Sequence, residues 1–203
     1  LETQHAAVAP GCVRPPRIAI AGTHCTGKTT LANRLAEELG LALIVEQARQ
    51  AAKVLGIENV AQVVRDRECA MRFQWKALAM QIAAEDMLQQ AGFVSDRATL
   101  DYLAYFELYR VAPLGSKDHA RYRDLAIGKA KTHYDLVVYL PIEFEAEEDG
   151  FRDCCPVCRG RIAELIEDNL LYVPHVRVSG PIEDRVAAVV GTIQYIQQGG
   201  KTA

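Results

Sequence analysis

Apolar residues gather in short runs at positions 18–21, 41–45, 93–95, 136–140 and 175–178, and after each run they return at helical spacing. Runs of that length suit buried strands, and steps of three and four suit one face of a helix. The alternation predicts five strands of a parallel sheet with helices on both faces, an α/β fold. The first helix is expected over 31–39, stopped by Gly40. Between the second and third runs, Val60, Val63, Val64, Met71, Trp75, Leu78, Ile82 and Met87 keep mainly helical steps, so 58–90 reads as one long helix or two broken pieces. Segment 111–132 carries Pro113 and Gly115 and then many charges, which predicts a loop followed by an exposed helix. Ligands of open parallel sheets sit beyond the carboxyl ends of the strands, so chemistry is expected just after each run.

After the first run comes Gly22-Thr23-His24-Cys25-Thr26-Gly27-Lys28-Thr29, followed by Thr30 and the first helix. This fits G-x-x-x-x-G-K-[ST] at every fixed position and in the strand-to-helix context the motif requires. Glycines let backbone N–H groups converge on phosphate oxygens, Lys28 reaches the outer phosphates, and the Thr29 hydroxyl suits magnesium. His24 and Cys25 occupy variable positions. A cysteine near a helix start tends toward a lowered pKa, but motif logic makes both residues loop filler rather than nucleophiles.

The reaction class turns on the residues at the ends of the other strands. Asp96 and Arg97 end the third. Asp96 suits a hydrated magnesium or the proton of an acceptor hydroxyl, and Arg97 suits an anionic phosphoryl group; the competing reading of Asp96 is an ordinary helix cap. A GTPase would show Asn-Lys-x-Asp after the fourth strand, where this chain has Leu140-Pro141-Ile142-Glu143. An ATPase of the AAA type would pair two acids where Arg97 stands, so a kinase is the better reading. Glu46 and Arg49 end the second strand at helical spacing, either flanking an acceptor or lying on the first turn of a surface helix. Segment 143–163 holds an acidic run, Gly150 as a hinge, and then Arg152, Arg159 and Arg161. It reads as a mobile lid whose Arg152 and Arg161 close over the phosphates, or as a solvated charged helix.

Size and charge narrow the partners. A chain of 203 residues, half of them apolar, suits one domain over 17–197, with flexible segments at 1–16 and 198–203. A net charge of -3, with both signs interspersed, argues against a nucleic-acid or anionic-membrane surface. Neither a spanning apolar run nor a signal-peptide pattern is present, which predicts a cytoplasmic protein whose six cysteines are reduced thiols; an oligomer is open. Cys154, Cys155 and Cys158 contain one C-x-x-C, and a tetrahedral zinc site would need a distant histidine or Cys12, Cys25 or Cys69. They read as lid thiols, with a redox-sensitive pair and zinc as alternatives.

With these residues in place, the chain resembles the P-loop AAA-like kinase family that includes the ribosylnicotinamide kinase domain, and more distantly thymidylate and deoxynucleoside kinases. The resemblance rests on GTHCTGKTT at 22–30, EQAR at 46–49, FVSDRATLDYLAY at 93–105, YDLVVYLP at 134–141 and EDGFRD at 148–153. It implies a three-layer P-loop fold like that of nucleoside monophosphate kinases, with a helical lid, and ATP with Mg2+. It also implies an acceptor held by Glu46, Arg49 and the residues from Asp96 through Arg97 to Asp101, lid arginines over the phosphates, and adenine near Gly180 and Pro181. The pair Asp96-Arg97 is closer to the thymidylate kinases than to the ribosylnicotinamide kinases, so the expected acceptor is nucleoside-like or nucleotide-like. The alternative is an ATP-binding switch without a small acceptor, against which the arginines of 143–163 speak.

Overall fold

The computed structural model describes residues 14–145 and 156–200. Its parallel sheet contains β1 (Arg17–Ala21), β2 (Ala42–Ile44), β3 (Phe93–Ser95), β4 (Leu136–Tyr139) and β5 (His175–Arg177), in the order β2-β3-β1-β4-β5. All five apolar runs are strands. The register sets Ile18 beside Val94 and Leu136, and Ala19 beside Ser95 and Val137, so β1 and β4 end level at Ala21 and Tyr139, and β3 ends two residues earlier, at Ser95.

Successive strand residues face opposite sides, and each side has its own core. Ile18 and Ile20 of β1 join Val94, Leu136 and Val138 against α1 (Lys28–Leu39) and α8 (Ile182–Gln197). Ala19 and Ala21 face the other way, where small side chains admit Phe93, Val137 and Tyr139 together with α4 (Arg67–Leu88), α5 (Thr99–Leu108), α6 (Lys117–His133) and α7 (Pro156–Leu170). Both faces are covered, which is why the strands read as continuous apolar runs rather than alternating ones.

The region 58–90 is two pieces, α3 (Val60–Arg65) and α4, after α2 (Gln47–Leu55). Asp66 makes the break: it is extended, and its Oδ1 accepts from Glu68 N at 2.9 Å and Cys69 N at 3.2 Å, capping α4. Segment 111–132 corrects the expectation of an exposed helix. On α6, His119, Tyr122, Ala126, Ala130 and His133 form a buried stripe, and Tyr122 stacks on Phe106 with ring centroids 3.9 Å apart. Much of the stripe is alanine and histidine, so it carries too little hydropathy to stand out among the charges of the outer face.

Between α4, α6 and β3 lies a buried polar network. Glu85 is fully buried, accepts from Gln81 Nε2 at 2.6 Å and Tyr134 OH at 2.5 Å, and lies 2.8 Å from His133 Nδ1. Gln81 Nε2 also donates to Ser95 Oγ at 2.7 Å. Buried polar atoms demand such partners, and these partners fix the end of β3 against α4.

Candidate active site

The phosphate loop crosses the carboxyl end of β1 in a conformation that only a few side chains permit. Gly22 has φ 149°, and a Cβ there would come 2.7 Å from the Leu140 carbonyl, so glycine is required by both backbone and space. Cys25 holds φ 55°, a left-handed value uncommon outside glycine. The carbonyls of the loop are taken by side chains. Thr23 O accepts from Thr26 Oγ1 at 3.0 Å and from Lys28 Nζ at 2.6 Å, placing the lysine ammonium over the loop. His24 Nδ1 lies 3.3 Å from Tyr105 OH, consistent with a packing role for that variable position.

Thr29 and Asp96 meet across the crevice between β1 and β3: Thr29 Oγ1 donates to Asp96 Oδ2 at 2.6 Å. The backbone of Asp96 is held in turn, its N–H donating to Ile44 O at 2.8 Å. Asp96 does not cap a helix. α5 starts at Thr99 behind Ala98, and the carboxylate that reaches the cap is Asp101, whose Oδ2 accepts from Ala98 N at 3.3 Å. The two hard oxygen donors, one on an exposed threonine and one on a nearly buried aspartate, fit a magnesium ion that keeps most of its waters.

Arg97 has φ 150°, a conformation that side chains rarely adopt, and its carbonyl accepts from Ser95 Oγ at 2.8 Å. Its guanidinium is buried, donates through Nε to Glu46 Oε1 at 2.9 Å and lies 5.0 Å from the centre of the Tyr105 ring. Burial opposes its charge, but Glu46 and the other neighbours outweigh that, and the group is held protonated. Arg49 Nε donates to the other Glu46 oxygen at 3.2 Å. Glu46, Arg49 and Arg97 therefore form one cluster, and Thr29, Asn33, Lys53 and Asp96 line an adjoining cleft of about 240 Å³ with Glu46 and Arg49.

Asp101, expected at the acceptor, is turned elsewhere. It is fully buried, and its Oδ1 accepts from Gly22 N at 3.1 Å, so it anchors the first residue of the phosphate loop. Burial pushes its carboxyl up from 3.8 to about 6, against the opposing pull of Arg97, Lys28 and the two amides. A folded-state pKa raised above the unfolded value means that the folded protein binds the extra proton between about pH 4 and about pH 6. Relative to Asp101→Asn, the wild-type protein is expected to lose stability as pH rises through that window. Urea midpoints of both proteins from pH 4 to pH 7 check this, and a flat difference would show that Asp101 ionises normally.

The lid arginines are rearranged relative to expectation. Arg152 lies outside the described residues, as do Cys154 and Cys155. Arg161 is exposed and pairs with Glu164 at 2.6 Å on its own helix, away from the phosphate loop. Arg159, two residues earlier, is buried and donates to His24 O at 3.1 Å, Cys25 O at 2.8 Å and Phe144 O at 2.6 Å. Helical phase explains the exchange, because positions two apart on α7 face nearly opposite directions. Arg161→Ala is accordingly expected to leave nucleotide affinity within about twofold, the ordinary reach of a surface ion pair. Arg159→Ala should weaken it about tenfold, the usual size of a lost charged hydrogen bond. Calorimetric titration of both variants distinguishes the two positions.

A second cleft, of about 590 Å³, opens between the phosphate loop and the turn after β5, lined by Gly27, Thr30, Phe144, Gly180, Pro181 and Arg185. Gly180 and Pro181, where the resemblance places adenine, form part of its wall. Arg185 carried no such signal, although a cation in the first turn of a helix runs against the helix dipole and so marks an unusual position. Its guanidinium is buried and donates to Gly180 O at 2.8 Å, Thr26 O at 3.1 Å and the Glu143 carboxylate.

Solved structures share this fold at low sequence identity. A deoxyadenosine kinase from M. mycoides, with the product dCMP and dCDP bound, superposes with a TM-score of 0.64 at 16% identity, over 89% of this chain and 99% of that one. Thymidylate kinase from Candida albicans gives 0.63 at 16% identity over 91% and 93% of the two chains. The NadR protein in complex with NR gives 0.66 at 21% identity over 93% of this chain, which spans about half (53%) of the NadR chain. No curated protein sequence matches the chain. The sequence model of the AAA domain matches residues 17–185, from the first residue of β1 to the buried arginine of α8, and on that match over most of its length the protein belongs to the AAA-domain family.

Proposed function

We propose that the protein is an ATP-dependent phosphotransferase that moves a γ-phosphoryl group to a small nucleoside-like or nucleotide-like acceptor. The observation that carries this reading is the 2.6 Å contact of Thr29 with Asp96, with the Lys28 ammonium over the glycine loop at Thr23 O and the Glu46–Arg97 pair bordering the same crevice. The cleft at Gly180 takes the base of ATP and the loop 22–29 its phosphates. Magnesium, held through Thr29 and Asp96, would supply neutralisation of the phosphate oxygens. Lys28 stabilises charge on the transferred group. Glu46, oriented by the Arg49 and Arg97 guanidinium groups, faces the acceptor and accepts hydrogen bonds from its hydroxyls. Support from outside the chain comes from the ligands of its structural neighbours, dCMP in one and NR in another.

Incubation with Mg·ATP and a panel of nucleosides and nucleoside monophosphates tests the reading. The expected result is ADP formed in proportion to one phosphorylated acceptor. ADP formed without a phosphorylated product, or ATP bound and retained, would overturn it in favour of a nucleotide-dependent switch. Among the described residues no helix is long and apolar enough to cross a membrane.

A further inference from the structure

When the amides of a phosphate loop turn toward an anion, its carbonyls turn outward, and each needs a donor. Here two buried arginines from distant helices supply them: Arg159 serves His24 and Cys25, and Arg185 serves Thr26. Arg185 does more than close a carbonyl. Its planar group reaches three separate segments at once, through Nε to Gly180 O at 2.8 Å, through Nη1 to Thr26 O at 3.1 Å, and through Nη2 to Glu143. Glu143 in turn accepts from Gly180 N at 3.0 and 3.2 Å, so both sides of the Gly180 residue are held by one ion pair. The guanidinium also lies 5.5 Å from the centre of the Phe144 ring, another wall of the base cleft.

We propose that Arg185 is a positioning residue that locks the phosphate loop to the base cleft, so that the geometry of one is set by the other. The proposal rests on the phosphotransferase reading above. Only a rigid fork satisfies three acceptors in different directions; an ammonium on a flexible stem cannot hold all three in the same geometry. The contact is also close: a Cβ on Gly27 would stand 3.3 Å from Nη1, which leaves the loop little freedom to shift toward α8. Arg185 thus borders the base cleft while fixing the backbone that binds phosphates. Its loss should be felt by a ligand that has phosphates and no base.

The test uses the full chain with Arg185→Lys, which keeps the charge and loses the fork, and Arg185→Met, which loses both. Each is first shown to be folded by circular dichroism and a cooperative thermal transition. Calorimetric titrations with magnesium tripolyphosphate and with Mg·ATP then give two affinities per protein. Both variants are expected to bind tripolyphosphate about tenfold more weakly, and to lose at least as much for ATP. Unchanged tripolyphosphate affinity in the folded variants would confine Arg185 to the base and overturn the proposal; full affinity in Arg185→Lys alone would reduce it to a charge effect and overturn it too. If neither variant folds, Glu143→Gln weakens the same hold, and a loss of about threefold for tripolyphosphate is expected, with no loss overturning the proposal. Failure of the wild-type protein to bind ATP at all would instead bring down the phosphotransferase reading, and this inference with it.

Discussion

Asp96→Asn should lower turnover by on the order of 10²- to 10³-fold and weaken the dependence of the rate on magnesium, in a protein that remains folded. The substitution keeps the shape of the side chain and removes its charge. The oxygen facing the Thr29 hydroxyl, where Oδ2 now accepts at 2.6 Å, is then at best a neutral amide carbonyl, a weaker ligand for a hard cation than a carboxylate. A capping role would predict the opposite, because asparagine caps helices as well as aspartate does. The structure separates the two, since the helix after β3 begins behind Ala98 and Asp101 reaches its cap. Turnover measured against magnesium concentration for both proteins decides it. Near-normal rates in Asp96→Asn would remove Asp96 from the site.

Lys28→Ala is expected to abolish nearly all transfer, on the order of 10³-fold, with a smaller effect on folding. The ammonium is buried, lies 2.6 Å from Thr23 O, and sits over the loop where the outer phosphates would arrive. Its charge is also among those that pull on the Asp101 carboxyl, so the field of Lys28 extends into the core beneath the loop. In the low dielectric of such a crevice one fixed positive charge outweighs what bulk water offers. Single-turnover rates and thermal midpoints are the measurements. Wild-type-like transfer by a folded Lys28→Ala protein would sink the assignment of loop 22–29 as the phosphate cradle.

Much of the architecture is legible in the chain alone. The runs at 18–21, 93–95 and 136–140 overlap β1, β3 and β4, because a strand covered on both faces must be apolar throughout. The loop 22–29 can be read for a related reason: a backbone that binds phosphates tolerates few residue types at its glycine positions, and Gly22 has no room for a Cβ. The break at Asp66 obeys the same local logic, although the periodicity of 58–90 favoured one long helix over two pieces. The stripe of α6 escaped because its few apolar members, small alanines among them, are interleaved with many charged residues of the outer face.

Local pattern by itself settled the succession of the five strands along the chain, the position of the glycine loop between β1 and α1 and the strand ends where charged residues would gather. Only the tertiary structure decided which of those charged residues meet. Thr29 and Asp96 are 67 residues apart in the chain, Arg97 and Glu46 are 51 apart, and Arg185 lies 159 residues from the carbonyl it holds. Hydrophobic periodicity reports on neighbours within a turn or a pleat, whereas a hydrogen bond or ion pair depends on where packing brings two distant segments to within about 3 Å. That is why the sequence pointed to Arg161 while the fold turns Arg159 inward, and why Asp101 read as an acceptor ligand yet closes on Gly22 from inside the core.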